Sequence, residues 1–132
     1  MLDPARQFRY VAIIMVQSHD NIVYRLATLD EWQSAQLSGV VPTRDIDRID
    51  GYMHLSTREQ LLETARLHFS GVPDLVALGF NVEALAGHLK FEIAPKRGEA
   101  FPHYYGMLDS ATVTSVCRIV EVDESFCFGE AL

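Results

Sequence analysis

The sequence predicts an α+β domain in which the helices come early and the strands late. Two short runs of β character each end on a hydroxyl residue with a glutamate three positions later, which is the pattern of a helix capping box. Three later runs, residues 75–80, 88–94 and 112–122, have the composition or the alternation of strands. Because no linker or low-complexity tract interrupts them, we assign residues 21–132 to a single α+β domain.

The first strand-to-helix unit lies in YRLATLDE, residues 24–31. Thr28 and Glu31 form its predicted capping box, and we expect a helix over residues 29–38 that ends at Gly39. Helical spacing predicts a buried face made of three apolar residues, Leu29, Trp32 and Ala35.

The second unit, YMHLSTRE at residues 52–59, repeats the pattern Y-x-x-x-[ST]-x-x-E. Ser56 and Glu59 are its predicted capping pair, and the helix is expected over residues 57–70 before Gly71. Its apolar residues at helical spacing are Leu61, Leu62, Ala65 and Phe69. Both predicted helices are amphipathic, so both are expected to pack on a sheet.

The predicted sheet comes from the second half of the chain. LVALGF at residues 75–80 suits a buried strand, and Asn81 is placed to cap a one-turn helix that ends at Leu85. HLKFEIA at residues 88–94 alternates strictly, and residues 95–100 read as a loop. The alternation puts Leu89, Phe91 and Ile93 on one face and His88, Lys90 and Glu92 on the other. Residues 112–122 are rich in β-branched side chains and are predicted to be a long final strand.

Composition and charge limit the partners of this chain. The 132 residues carry a net charge of -7 and no run of lysine or arginine, so we expect a small-molecule ligand and no nucleic acid. Cys117 and Cys127 lie outside any zinc-binding spacing, which predicts free thiols, no metal and a reducing, cytoplasmic setting. The apolar stretch at residues 8–16 is too short to span a bilayer, so no membrane association is expected. Residues 1–20 are predicted to be an N-terminal extension or an extra strand.

A polar corner is predicted where the second strand meets its helix. A period of two puts Met53 and Leu55 on one face and Tyr52 and His54 on the other, so His54 projects beside the helix start. Ser56, Thr57 and the first free amides of the helix favour a phosphate, carboxylate or sugar oxygen at this corner. The alternative is structural: Ser56 caps the helix and His54 is hydrogen-bonded locally.

FPHYYG, residues 101–106, is a second candidate for ligand binding. Pro102 fixes its own φ and restricts Phe101, which predicts a rigid aromatic turn that presents His103 and Tyr105. Aromatic faces beside an imidazole suit a planar ligand such as a base or a nicotinamide ring. The alternative is an aromatic corner that closes the core.

Together these segments resemble the family catalogued as domain of unknown function 952. Its pattern is an IYxIAT-like opening, a G-[FY]-[IM]-H-[LC]-S-T segment, an aromatic-Glu pair and F-P-H-x-Y-G, matched here in order by IVYRLAT, GYMHLST, FE and FPHYYG. The resemblance runs from about residue 21 to residue 122. This chain departs from the pattern at Phe91, where tryptophan is more usual.

The resemblance implies a fold similar to that of the ADP-ribosyltransferases, a mixed, mostly antiparallel sheet split around a cleft that holds NAD. Residues 24–28 and 52–56 are also similar to segments of the NAD-dependent RNA 2'-phosphotransferases. Two departures argue against RNA repair: Arg25 stands where those enzymes have histidine, and their arginine-rich RNA surface is absent. The glutamine-x-glutamate or glutamate-x-glutamate signature of many ADP-ribosyltransferases is absent as well.

From this resemblance we predict an enzyme that takes NAD or a related ribosyl compound as substrate and acts at its anomeric carbon. Such chemistry needs a carboxylate near a cationic sugar, polar anchors for the ribose and an aromatic wall for the leaving base. Glu92 is the predicted carboxylate, with His54 and His103 as the other catalytic residues. The predicted binding residues are Tyr24, Arg25, Tyr52, Ser56, Thr57 and Tyr105, with Arg25 as a pyrophosphate contact.

Two other functions remain open from the sequence. One is a non-catalytic module that binds a nucleotide or metabolite in the same cleft. The other is metal-assisted hydrolysis at His54, His103 and Glu92, although no HxH or HExxH spacing brings these ligands together. For Glu92 itself the alternative is a solvated strand face shared with Lys90 and His88.

Overall fold

The computed structural model of the protein describes residues 21–132 and divides its strands between two sheets. The prediction of an extension or extra strand over residues 1–20 lies outside the described residues. Helices occupy Leu29–Ser38 (α1), Asp45–Asp50 (α2) and Arg58–His68 (α3). Strands occupy Ile22–Thr28 (β1), Met53–His54 (β2), Ser56–Thr57 (β3), Leu75–Asn81 (β4), Leu89–Ala94 (β5), Glu99–Tyr104 (β6), Val113–Val122 (β7) and Ser125–Ala131 (β8).

The larger sheet has the strand order β3-β1-β4-β7-β8, and the smaller sheet has the order β2-β6-β5. Every strand pairing among residues 21–132 is antiparallel, so the predicted α+β class is confirmed, whereas the expected mixture of parallel and antiparallel strands is not found. The chain changes sheets at Leu55, which lies between β2 and β3 and donates its N–H to the Pro102 carbonyl at 3.1 Å.

The strands β1 and β4 of the larger sheet are buried on both faces. One face of β1 carries Val23 and Ala27 into a core that also contains Ala35 of α1. The other face carries Tyr24 and Leu26 into a second core beneath α3. This burial explains why residues 75–80, in β4, are continuously apolar instead of alternating.

The helix α1 begins and ends as the sequence predicts. The Thr28 hydroxyl accepts a hydrogen bond from the Glu31 N–H at 3.1 Å, and the Glu31 carboxylate accepts one from the Thr28 N–H at 2.9 Å. The helix ends where Gly39 adopts a left-handed conformation with φ of 89°.

The second predicted cap is wrong by one residue. Thr57, not Ser56, caps α3, and Gln60 takes the place predicted for Glu59 in the capping box. Both pairs fit the sequence pattern, because glutamine at the third helical position satisfies the cap as glutamate does. Ser56 lies in β3, and α3 ends at His68, two residues before the predicted end.

Two further expectations need correction, and one element was not expected. FPHYYG is not a turn: residues 101–104 lie in β6, the central strand of the smaller sheet, where pairing with β2 and β5 keeps the backbone extended. The strand β7 is not the final one, because left-handed Asp123 and Glu124 turn the chain into β8. The helix α2 is not predicted from the sequence.

The strand β5 keeps the predicted alternation, but its apolar face is only partly covered. Phe91 is 51% exposed and Ile93 is 64% exposed, while Leu89 packs against the core. The predicted one-turn helix is present at Val82–Leu85, although the Asn81 side chain makes no capping hydrogen bond. No helix among the described residues is long and apolar enough to cross a membrane.

Replacing Thr57 with alanine removes the hydroxyl that accepts the Gln60 N–H. We expect a loss of about 1 kcal/mol in the free energy of unfolding, measured by urea denaturation. Thr57→Ser keeps the hydroxyl and is the matched control. Equal losses in the two variants would show that the cap does not stabilise α3.

Candidate functional site

A cleft of about 810 Å³ is bounded by both sheets, by α2 and α3, and by the turn between β5 and β6. Its wall includes a group of polar and aromatic side chains, Arg25, Asp47, Asp50, Tyr52, His54 and His103. The volume lies within the range of about 300–1,000 Å³ that is usual for small-molecule sites.

A buried ion pair forms the floor of this cleft. Arg25 and Asp47 have side chains that are each 2% exposed, and the guanidinium donates to the two carboxylate oxygens at 3.0 and 2.7 Å. The same guanidinium also donates to the backbone carbonyls of Pro42 and His54, both at 3.2 Å. Arg25 therefore has a structural partner in Asp47, and it also lines the cleft.

Asp47 collects hydrogen bonds from four groups. Besides Arg25, its carboxylate accepts the Arg44 N–H at 2.7 Å, the His54 N–H at 3.1 Å and a hydrogen bond from the His54 ring at 2.8 Å. Burial by itself would raise the pKa of Asp47, but the hydrogen bonds from His54, Arg25 and the Arg44 backbone outweigh it and hold this pKa well below its usual range. Asp47 is therefore a fixed negative charge.

His54 is held between two carboxylates. Its Nδ1 lies 2.8 Å from Asp47, and its Nε2 lies 2.9 Å from Asp50 at the end of α2. Both ring nitrogens of His54 are therefore engaged by carboxylates. The ring is one-third exposed, so its face remains open to the cleft.

Tyr52 links His54 to the smaller sheet. Its ring stacks on the His103 imidazole with centroids 3.8 Å apart and planes 18° apart, and it lies 4.7 Å from the ring of His54. The pKa of the Tyr52 hydroxyl is raised by burial and by the negative charges of Asp50 and Glu92. The hydroxyl therefore stays protonated and can donate a hydrogen bond.

A second hydrogen-bonded cluster lies on the other side of Tyr52. The Oε1 atom of Glu92 accepts hydrogen bonds from His103 Nδ1 and from the Tyr105 hydroxyl, each at 2.7 Å. The bond from His103, followed by that from Tyr105, lowers the pKa of Glu92 below its ordinary value. In return, the Glu92 carboxylate raises the pKa of Tyr105 to about 12.

The remaining predicted binding residues lie in different surroundings. Ser56 lines the cleft, and its hydroxyl donates to Thr64 at 3.4 Å. Thr57 is occupied in capping α3. Tyr24 is 6% exposed in the second core, where its hydroxyl accepts a hydrogen bond from Arg58 at 3.4 Å, and it does not line the cleft.

Asp47 and Asp50 are the site residues that sequence reasoning missed. Both lie in α2, whose two isoleucines, Ile46 and Ile49, are about half and three-quarters exposed and so leave no buried face to detect. The available signals were Gly51 directly after RDIDRID and the need of a buried arginine for a carboxylate partner. Within residues 21–132, no group of three or more histidine, cysteine or acidic side chains is arranged to hold a metal ion.

The family model described as "Protein of unknown function (DUF952)" matches residues 26–116, which include Asp47, His54, Tyr52 and the Glu92 cluster, while Arg25 lies one residue before the match. The chain belongs to the DUF952 family. This match confirms the family predicted from GYMHLST and FPHYYG. No curated protein is significantly similar to the chain.

Solved structures support the DUF952 fold. The crystal structure of protein CC0527 from Caulobacter crescentus is 32% identical, covers 84% of this chain and 93% of its own, and superimposes with a TM-score of 0.72. The solution NMR structure of the same protein is also 32% identical, with a TM-score of 0.70 over 80% of this chain and 90% of its own.

Separating the buried pair should destabilise this DUF952 chain strongly. We expect Arg25→Met or Asp47→Leu to cost about 3–5 kcal/mol in the free energy of unfolding, because each leaves one uncompensated buried charge. The double variant should cost much less than the sum of the single changes, as measured by urea denaturation. Removing both Glu63 and Arg66, an exposed ion pair on α3, is the control and should change little. Additive losses of unfolding free energy in the double variant would show that Arg25 and Asp47 do not form an ion pair.

The hydrogen bond from Tyr105 predicts how the pKa of Glu92 responds to a mutation. Tyr105→Phe removes one donor to the carboxylate, so the pKa of Glu92 should rise toward its ordinary value. A carbon-13 NMR titration of the Glu92 carboxyl measures this directly. Tyr104→Phe, which alters the neighbouring side chain on the opposite face of β6, is the control. An unchanged Glu92 pKa in Tyr105→Phe would exclude the hydrogen bond.

Proposed function

We propose that the cleft binds NAD or a related ribosyl compound and that Glu92 acts at the anomeric carbon of the ribose. The observation that carries this proposal is the Glu92–His103–Tyr105 cluster beside the cleft. Ribosyl transfer passes through a cationic sugar, which a fixed carboxylate stabilises more strongly than it stabilises the uncharged sugar of the bound substrate.

Glu92 has the charge and the free atom that this role needs. Its lowered pKa keeps it ionised at neutral pH. Both of its hydrogen bonds go to Oε1, and among the described residues Oε2 accepts none. The carboxyl group is 40% exposed, so Oε2 can face a ligand. His103 and Tyr105 then serve to orient the carboxylate, and His103 can also move a proton.

Tyr52 and His103 supply the aromatic part of the proposed site. Their stacked rings line the cleft, and a planar base can pack against such a surface. Both ring nitrogens of His54 are held by Asp47 and Asp50, so His54 can offer a ligand the exposed face of its ring. The resemblance to ADP-ribosyltransferases, with two sheets around an NAD-binding cleft, is part of this proposal.

One observation favours a second candidate, a module that binds the ligand without converting it. The side chains that line the cleft include His103 and Tyr52 but not Glu92, which stands beside the cleft and reaches it through His103. In that case Glu92 would only position the histidine that contacts the ligand.

The test compares binding with turnover. The chain is incubated with NAD, bound ligand is measured by calorimetry, and released nicotinamide is measured by chromatography. Glu92→Gln should leave the Kd within about threefold and lower the rate of release at least 100-fold, because it removes charge stabilisation of the transition state. Glu83→Gln, at an exposed glutamate with the same change in charge, is the matched control.

The possible outcomes distinguish the proposed enzyme from the non-catalytic module. Binding without nicotinamide release in the unaltered chain would favour the non-catalytic module. Release that persists in Glu92→Gln would remove Glu92 from the mechanism. Absence of binding by NAD and ADP-ribose would overturn the proposal for this cleft.

A further inference from the structure

We propose that Lys96 and Arg97, in the turn between β5 and β6, form a subsite for the phosphate of a phosphorylated ribosyl ligand. Both residues line the cleft, at the end away from Glu92 along β5. This inference rests on the proposed function, and it identifies the ligand class and two residues not otherwise assigned to the site.

Arg97 is held in place by contacts with uncharged groups. The hydrogen bond and charge of Arg66 lower the pKa of the exposed Glu63 on α3, and the charge of Arg97 also contributes to this lowering. Its guanidinium donates to the Thr64 hydroxyl on α3 at 2.7 Å and lies over the Phe101 ring at 4.5 Å from the centroid. The Thr64 hydroxyl in turn donates to the Gln60 carbonyl at 3.1 Å. Among residues 21–132, neither Lys96 nor Arg97 forms an ion pair with a carboxylate. A fixed guanidinium with unused N–H donors is well suited to a phosphate.

The contrast with other arginines supports this assignment. Within the described part of the chain, five arginines have a carboxylate within 4.0 Å: Arg25, Arg44, Arg48, Arg66 and Arg118. The chain carries a net charge of -7, so carboxylates are in excess. Within residues 21–132, Arg58 and Lys90 also lack such a partner, but neither lines the cleft, so Lys96 and Arg97 are the lysine and arginine without an ion pair that face it.

The smaller sheet brings the cations and the carboxylate close together. Phe101, beneath Arg97, is the cross-strand partner of Glu92 and lies two residues from His103, which is bound to Glu92. A phosphate at Arg97 and a sugar carbon near Glu92 can therefore belong to one small ligand.

The cations and Glu92 suit different parts of one ligand. The cations, which line the cleft, suit a phosphate, and Glu92, beside the cleft, suits a sugar carbon that becomes positive during ribosyl transfer. Asp47 and Asp50 also lie in the cleft, but Asp47 is paired with Arg25 and both contact the ring of His54. The ligand class that fits is a ribosyl compound with a phosphate or pyrophosphate at its 5′ position, and the unphosphorylated nucleoside fits poorly.

The experiment uses inorganic pyrophosphate as the probe, with no ribosyl group present. Calorimetry at low ionic strength measures its Kd for the unaltered chain and for Arg97→Gln, Lys96→Gln and Arg97→Lys. We expect each glutamine variant to bind about tenfold more weakly, because each loses charge-assisted hydrogen bonds. Arg97→Lys should recover part of the affinity, since it keeps the charge but not the planar fork of donors.

Arg118→Gln is the matched control, because it makes the same change at an arginine on β7 that does not line the cleft. Urea denaturation of each variant identifies any loss of folding. Equal pyrophosphate affinity in Arg97→Gln, Arg118→Gln and the unaltered chain would overturn the subsite, as would absence of pyrophosphate binding to the unaltered chain.

This result is independent of the test on Glu92. Pyrophosphate binding that depends on Arg97, together with no release of nicotinamide, would support the subsite and count against ribosyl transfer. Nicotinamide release that depends on Glu92 but is unaffected by Arg97→Gln would support the proposed reaction and overturn the subsite.

Discussion

The organisation of the cleft depends on the buried ion pair between Arg25 and Asp47. Arg25 lies in the middle of β1, where the alternation that sends Tyr24 and Leu26 into one core directs the arginine to the opposite side. A guanidinium that is 2% exposed requires a carboxylate and several acceptors, which α2, the segment before it and β2 supply. The short helix α2 therefore contributes through its charged residues, because its isoleucines are exposed.

The ion pair is connected to the rest of the site through a shared hydrogen-bond acceptor and a series of ring contacts. The Asp47 oxygen that accepts from Arg25 Nη1 also accepts from the backbone and ring of His54. His54 contacts Tyr52, and Tyr52 stacks on His103, which is bound to Glu92. The position of one wall of the cleft thus depends on the charge of Arg25 in the larger sheet. The position of the other depends on the register of β5 against β6. Tyr52 is the contact between these two networks.

The parts of this structure that the sequence predicted are those with local signals. The Thr28 capping box, the alternation around His54 and the alternation of β5 all depend on residues within about five positions of one another. Choosing between Ser56 and Thr57 as a cap failed because two equivalent local patterns overlap. The partner of Arg25 is 22 positions away, so no local pattern indicates it.

The same distinction between local and long-range signals explains which features of the site the sequence predicted. Glu92, His103 and Tyr105 were recognised one by one as chemically suitable residues. Their joint hydrogen bonding depends on the pairing of Glu92 with Phe101 across two strands, a register that only the folded sheet defines. Arg97 was assigned to a loop, and its position over Phe101 follows from the tight turn that joins β5 to β6.

The short connection between the two sheets at Leu55 limits how the cleft can open. Only this residue separates β2, in the smaller sheet, from β3, in the larger one, and its N–H is bound to Pro102. Two sheets joined over so short a stretch have no hinge at that point, so the cleft walls on either side of Leu55 move together. The two segments at the rim are tied to these walls as well, α2 through Asp47 and the turn at residues 95–98 through Arg97. The shape of the cleft is therefore set by folding, before any ligand enters it.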